Sequence, residues 1–273
     1  MIIDAYSLVG SIPIRSSPVD LPQLFAQMKS VGVNHAMVAS LRGLHADARK
    51  GNDYLFGSTS KDPRILPVGV VAPLAGALDI ENLVEECVEN NAVALALPAD
   101  PSLAFSSLVF QKTLRTVADS KLPLIAYGAT KPGVPSELAK LTSDLGCRLL
   151  FSGTIYFLLD ELLAVINEYD HVYIDTSWQT TPGAIELIVQ NGGSEKLLFG
   201  SGGPVRPIRP ALNTVLDTDI DDKDKRKILG SNALRFLGRY NKANEVDLKP
   251  MELPQIQTPV TSPIDVHNHF GSI

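Results

Sequence analysis

Ile2-Ile3-Asp4-Ala5-Tyr6-Ser7-Leu8-Val9 opens the chain as an apolar run, and Leu21, Leu24, Phe25 and Met28 follow it at i, i+3, i+4 and i+7. The run reads as a buried strand and the spaced set as an amphipathic helix. The same alternation continues to residue 240. Further strand candidates are His35 to Ser40, Ile65 to Val71, Val93 to Leu97, Pro123 to Tyr127, Arg148 to Phe151, Val172 to Asp175 and Lys196 to Gly200. The last helical segment, Lys225 to Leu237, repeats the helical spacing with Ile228, Leu229, Ala233 and Phe236. Eight strand-helix units in about 240 residues predict an α/β fold, a (β/α)8 TIM barrel rather than an open doubly wound sheet. No Gly-x-Gly-x-x-Gly follows the first strand, as a dinucleotide-binding sheet would require.

Bulk composition narrows the partners. The 273 residues are 45 % hydrophobic, enough for one large core, and carry a formal charge of -6. An acidic chain without a basic stripe is not expected to bind nucleic acid or an anionic membrane surface. No apolar run reaches the length of a membrane span, and the N-terminus shows a strand pattern in place of a basic leader. Cys87 and Cys147 are too few and too isolated for a disulfide framework, so a reducing cytoplasm is the expected compartment.

After Tyr240 the pattern changes. Residues 241–263 contain Pro250, Pro254, Pro259 and Pro263 without helical period and read as an extended linker. Residues 264–273 then repeat the opening strand: Ile3-Asp4-Ala5-Tyr6-Ser7-Leu8-Val9-Gly10 returns as Ile264-Asp265-Val266-His267-Asn268-His269-Phe270-Gly271. In a strand His267 and His269 share a face and form a ready pair of metal ligands, whereas Tyr6 and Leu8 do not. The division expected is a barrel over 1–240, a linker over 241–263, and an orphan strand over 264–273 that resembles the start of a second barrel.

Several phrases point to a family. They are Ile2-Ile3-Asp4-Ala5, Asn52-Asp53 followed by Asp62-Pro63-Arg64 and Val71-Ala72-Pro73, Val172-Tyr173-Ile174-Asp175-Thr176-Ser177, Leu198-Phe199-Gly200-Ser201, and the closing Lys227 to Phe236. In this order they resemble the amidohydrolase-related metal-dependent hydrolases, of the amidohydrolase 2 type that includes many decarboxylases. The resemblance implies a TIM barrel with a divalent metal at its C-terminal mouth. The metal would be held by a His-x-His on strand 1, a His on strand 5 or 6 and an Asp on strand 8. Such ligands leave an open position where water is activated or a substrate oxygen polarised. This chain departs from the pattern at each of those places: Tyr6 and Leu8 replace His-x-His, Tyr127 ends strand 5, Ser152 precedes Gly153 on strand 6, and Gly202 stands where Asp is expected. The barrel is therefore expected to hold no metal cofactor of its own.

Other candidate residues also have plainer roles open to them. His45 follows strand 2 on the face of a barrel where loops carry chemistry, although a solvated loop His needs no function. His35 and His171 lie at the opposite, structural face. Asp100 before Pro101 suits a turn as well as a cavity, and Asp175 ends strand 7 where it could cap a helix or face the mouth. The turn Ser201-Gly202-Gly203-Pro204 with Arg206 and Arg209 suits a small anion. Trp178 is read as lining the mouth.

Three functions follow as expectations. The first is a non-catalytic structural or regulatory barrel paired with an active metal-dependent hydrolase, either an amidohydrolase-like relative or a neighbouring copy in a homo-oligomer. The alternative is a metal-dependent hydrolase or decarboxylase whose zinc site is completed by His267 and His269, in cis or from a neighbouring subunit. The third is a metal-free binder of a small anionic ligand, using Tyr6, Tyr127 and the arginines after strand 8. No Ser-His-Asp order and no Gly-x-Ser-x-Gly support serine hydrolase chemistry.

Overall fold

Eight parallel strands run in chain order and pair only with their sequence neighbours: β1 (Ile3–Val9), β2 (His35–Ser40), β3 (Ile65–Val70), β4 (Ala94–Pro98), β5 (Leu124–Tyr127), β6 (Leu149–Ser152), β7 (Val172–Asp175) and β8 (Leu197–Leu198). The computed structural model describes residues 1–11, 19–59, 62–72, 79–99 and 104–239. Every strand lies within one residue of its expected position except β8, expected over Lys196–Gly200 and ending two residues short of it. The shortening has a cause. Beyond Leu198 the backbone leaves β7 and bonds to β1 instead, with Ala5 N–H donating to Phe199 O, Gly202 N–H to Tyr6 O and Leu8 N–H to Gly203 O, each at 2.8 Å. Those three bonds join the last strand to the first and give a (β/α)8 TIM barrel.

The helices wrap the barrel: α1 (Leu21–Val31), α2 (Leu41–His45), α3 (Ala48–Thr59), α4 (Ile80–Glu89), α5 (Leu108–Asp119), α6 (Val134–Asp144), α7 (Leu159–Glu168), α8 (Ala184–Gln190), α9 (Ile208–Leu216), α10 (Asp222–Arg226) and α11 (Asn232–Phe236). Local chemistry sets their ends. Asp20 caps α1, accepting from Gln23 N–H at 2.9 Å while the Gln23 side chain accepts from Asp20 N–H at 3.3 Å. The helical stripe read from the sequence faces inward: Leu21, Leu24 and Met28 are buried, and Phe25 lies half-buried under the Arg64 guanidinium, 3.9 Å from its ring centre. The expected final helix forms with one irregularity, a π-helical turn at Lys227–Ser231 between α10 and α11. Ile228, Leu229, Ala233 and Phe236 are all buried, and Ile228 O accepts from Phe199 N–H at 2.9 Å. The turn thus places an outer helix against the strand that closes the barrel.

Polar residues pin helices to strands where apolar packing cannot set register. Asn52 on α3 is buried and reaches the middle of the molecule. Its Nδ2 donates to Val70 O at 2.9 Å and its Oδ1 accepts from Val70 N–H at 2.8 Å. The Asn52-Asp53 phrase is thereby a structural clamp. His35 and His171 are structural as expected, with His35 Nδ1 lying 3.0 Å from Pro63 O and His171 Nε2 3.0 Å from Thr142 Oγ1. Cys87 and Cys147 are free and buried, and burial pushes their thiols up to about 12 and about 11. Among the described residues no helix is long and apolar enough to cross a membrane. Asn52→Ala strands a buried N–H and a buried C=O at the end of β3, so urea denaturation is expected to show a loss of about 2–4 kcal/mol. A loss under about 0.5 kcal/mol would show that Val70 finds other partners.

Candidate functional site

The strand ends converge on Asp4. It is fully buried and accepts four hydrogen bonds: Oδ1 from the N–H groups of Tyr6 at 3.1 Å and Ser201 at 2.9 Å, Oδ2 from the hydroxyls of Ser7 at 2.9 Å and Ser201. Burial pushes its carboxyl up to about 6, against the opposing pull of these donors. Sequence reading did not single out Asp4, although the one signal available was its return as Asp265 in the closing repeat.

Between Asp4 and Ser7 the register of β1 against β2 shifts, so that Ala5 and Tyr6 together oppose Met37. Such a bulge re-aims side chains at the rim of a barrel, and the phenol of Tyr6 lies across the mouth. Three glycines make the space. A Cβ on Gly200 would come within 3.1 Å of Tyr6 Cβ, one on Gly202 within 3.3 Å of its Cε1, and one on Gly153 within 3.3 Å of its hydroxyl. The opposite ring is Tyr127, 5.5 Å away centre to centre and tilted by 33°. The His45 ring in turn stands edge-on to Tyr127 at 5.9 Å. Burial, followed by the neighbouring Tyr127, pushes the Tyr6 phenol well above its ordinary value, and burial does the same to Tyr127. Both remain neutral hydrogen-bonding groups at ordinary pH. The cavity among the strand residues beside these rings is about 20 Å³, room for little more than one water.

Asp175 ends β7 and is buried there. Ser152 Oγ donates to its Oδ2, while Ser177 N–H at 3.0 Å and Ser177 Oγ at 2.6 Å donate to Oδ1. Burial raises its carboxyl above the usual range. Ser152 is therefore a partner of Asp175. His45 ends the short helix α2 rather than sitting in a loop, because Ser40 Oγ caps that helix by accepting from Gly43 N–H at 3.2 Å. Burial lowers its pKa and favours neutral imidazole. Arg206 is already partnered at the edge of the mouth. Its Nη1 donates to Ser177 O at 2.5 Å, and its guanidinium lies over Trp178, 4.7 Å from the ring centre. Arg209 points elsewhere, donating to Ser30 O at 2.7 Å on the outer surface. Asp100, His267 and His269 lie outside the described residues.

A divalent metal at this mouth would need donors that the described residues do not bring there. The positions in question present a phenol (Tyr6), an alkyl chain (Leu8), a second phenol (Tyr127), a hydroxyl committed to Asp175 (Ser152) and a glycine (Gly202). Among the described residues no group of three or more His, Cys, Asp or Glu is placed to hold a metal ion. The Tyr6 ring further fills the space that Gly202 and Gly153 leave open. These residues do not fit a catalytic metal.

The molecule is thus a closed (β/α)8 barrel with buried carboxylates on β1 and at the end of β7. The amidohydrolase family model matches residues 17–239, and the chain belongs to that family. The matched span begins after β1, the strand on which this chain carries Tyr6 and Leu8. Solved structures of low identity share the fold. The 2,6-dihydroxybenzoate decarboxylase from Rhizobium superposes with a TM-score of 0.68 at 14 % identity, over 87 % of this chain and 98 % of that one. A 5-carboxyvanillate decarboxylase from Novosphingobium aromaticivorans, solved with bound manganese, gives 0.69 at 14 % identity over 87 % and 97 %. An amidohydrolase 2 protein from Bifidobacterium longum gives 0.64 at 17 % identity over 88 % and 99 %. No curated protein matches this sequence significantly.

Two outcomes are expected. Asp4 keeps its proton in the fold after the unfolded chain, with its value near 3.8, has lost it, so the stability it contributes is present at low pH and lost as pH rises through about 6. The unfolding free energy of the wild type relative to Asp4→Asn should fall by about 2–3 kcal/mol between pH 4 and 7 and then level off. A difference independent of pH would sink this account. Second, Gly202 has φ of +74° and faces the Tyr6 ring. Gly202→Asp should cost about 2 kcal/mol or more, and a double-mutant cycle with Tyr6→His should return a favourable coupling of about 1 kcal/mol. Strict additivity would mean that Tyr6 does not crowd that position.

Proposed function

We propose that this protein is a non-catalytic member of the amidohydrolase family, a structural or regulatory barrel that works beside a metal-bearing relative. One observation carries the proposal: the Tyr6 phenol lies across the mouth in the space left by Gly153, Gly200 and Gly202, with Asp175 saturated by Ser152 and Ser177. Losing one ligand could leave an altered enzyme. Here all five positions depart from the family pattern, and Tyr6 packs against Tyr127 and over Gly202.

The closing repeat supports the second half of the proposal. Ile264-Asp265-Val266-His267-Asn268-His269 carries the His-x-His that Ile3 to Leu8 lacks, so the sequence holds both the blank and the metal-competent form of one strand. A relative built on the competent form is the partner this reading calls for.

Metal analysis decides between this and a site rebuilt from the tail. The purified 273-residue chain, supplied with zinc or manganese and then desalted, should retain far less than about one ion per chain, as should a His267→Ala/His269→Ala variant. An ion held at about one per chain and lost in the variant would make the protein a metal-dependent hydrolase or decarboxylase completed by its own tail or by a neighbour's.

A further inference from the structure

The larger space at this end of the molecule lies outside the barrel. A cavity of about 470 Å³ opens between the segment after β7, α8 and α9, within the size range of small-molecule sites. Its charges are ordered. Arg206, just before α9, lines one part, where it reaches back to Ser177 O and stacks on Trp178. Asp217, which follows α9, lines the other, together with Glu186, whose Oε1 accepts from Asp219 N–H at 3.3 Å. Threonine side chains, among them Thr180 and Thr181, lie along the walls. No described ion pair joins Arg206 to either carboxylate.

A second feature is independent of these charges. Gln179 lines the same cavity and is only 3 % exposed. Its Nε2 donates to Thr154 O at 3.3 Å, yet its Oε1 accepts no hydrogen bond from any described residue. A buried amide oxygen left without a donor costs about 1–3 kcal/mol, and a ligand N–H would remove that cost.

We propose that this cavity binds a short linear zwitterion of peptide type, with its carboxylate at Arg206, its ammonium at Asp217 and Glu186, and an amide N–H at Gln179. Two carboxylates against one guanidinium disfavour a phosphate dianion, while a molecule with opposite charges at its two ends matches the order of the side chains. The helix between Arg206 and Asp217 sets the length. At about 1.5 Å per residue, less the reach of the side chains, the charged groups stand on the order of 10 Å apart, the span of about three extended residues. The site adjoins the barrel mouth at Ser177 and Ser201, yet Arg206, Asp217, Glu186 and Gln179 hold none of the metal-ligand positions, so it stands or falls without regard to the metal question.

Triglycine is the probe, with N-acetyl-triglycine and triglycinamide as forms lacking one charge each. Calorimetric titration of the full chain should show saturable binding of triglycine, weakened about tenfold or more by either cap. Arg206→Gln and, as a milder exposed change, Asp217→Asn should each weaken binding by a similar factor, while Arg209→Gln leaves it unchanged. Absence of saturation at about 10 mM triglycine, equal binding of the capped forms, or an unaltered Asp217→Asn variant would overturn the proposal.

Discussion

The barrel depends on one buried carboxylate. β8 pairs with β7 through only two residues, and three backbone bonds carry its continuation onto β1. Asp4 supplies what the ladder lacks, binding the Ser201 N–H and hydroxyl from across the seam while also organising Tyr6 and Ser7 on its own strand. A buried charge is expensive unless each lone pair is met. Asp4 has four donors, and its raised pKa shows that desolvation still outweighs them. Closure of the barrel is thus coupled to protonation at the position next to its mouth.

From that seam the character of the mouth follows. The bulge after Asp4 sends the Tyr6 ring over the strand ends, and the ring requires that β6 and β8 present no side chain where it lies. Gly153, Gly200 and Gly202 meet that requirement. A metal site needs small ions among converging donors, whereas this mouth has a large ring among glycines. The two arrangements exclude one another sterically, so restoring a single ligand should fail while Tyr6 remains. The carboxylates that survive are satisfied internally by serines.

The Arg206 guanidinium shows how the surroundings of the mouth have been turned outward. Stacked on Trp178 and bonded to Ser177 O, it is held rigidly at the edge of the cavity between α8 and α9. Its neighbour Arg209 has a plainer task, tying the start of α9 to the end of α1 through Ser30. Two arginines three residues apart therefore serve different surfaces.

The eight strands and the inward stripes of α1 and the final helix were legible in the sequence. Each rests on local periodicity or on the chemical identity of one side chain, and neither needs a neighbour to be known. Even the end of β8 was misjudged for a long-range reason, since its residues beyond Leu198 bond to β1 rather than to β7. Asp4 as a clasp, the glycine cradle around Tyr6, the commitment of Ser152 to Asp175 and the unmet Gln179 oxygen depend on residues distant along the chain. Ser201 and Asp4, for instance, are 197 positions apart. Sequence alone determined which groups the strand ends offer, Tyr6, Leu8, Tyr127, Ser152 and Gly202 among them. Only the tertiary structure decided how these groups fill the mouth, because steric exclusion and burial belong to the packed molecule.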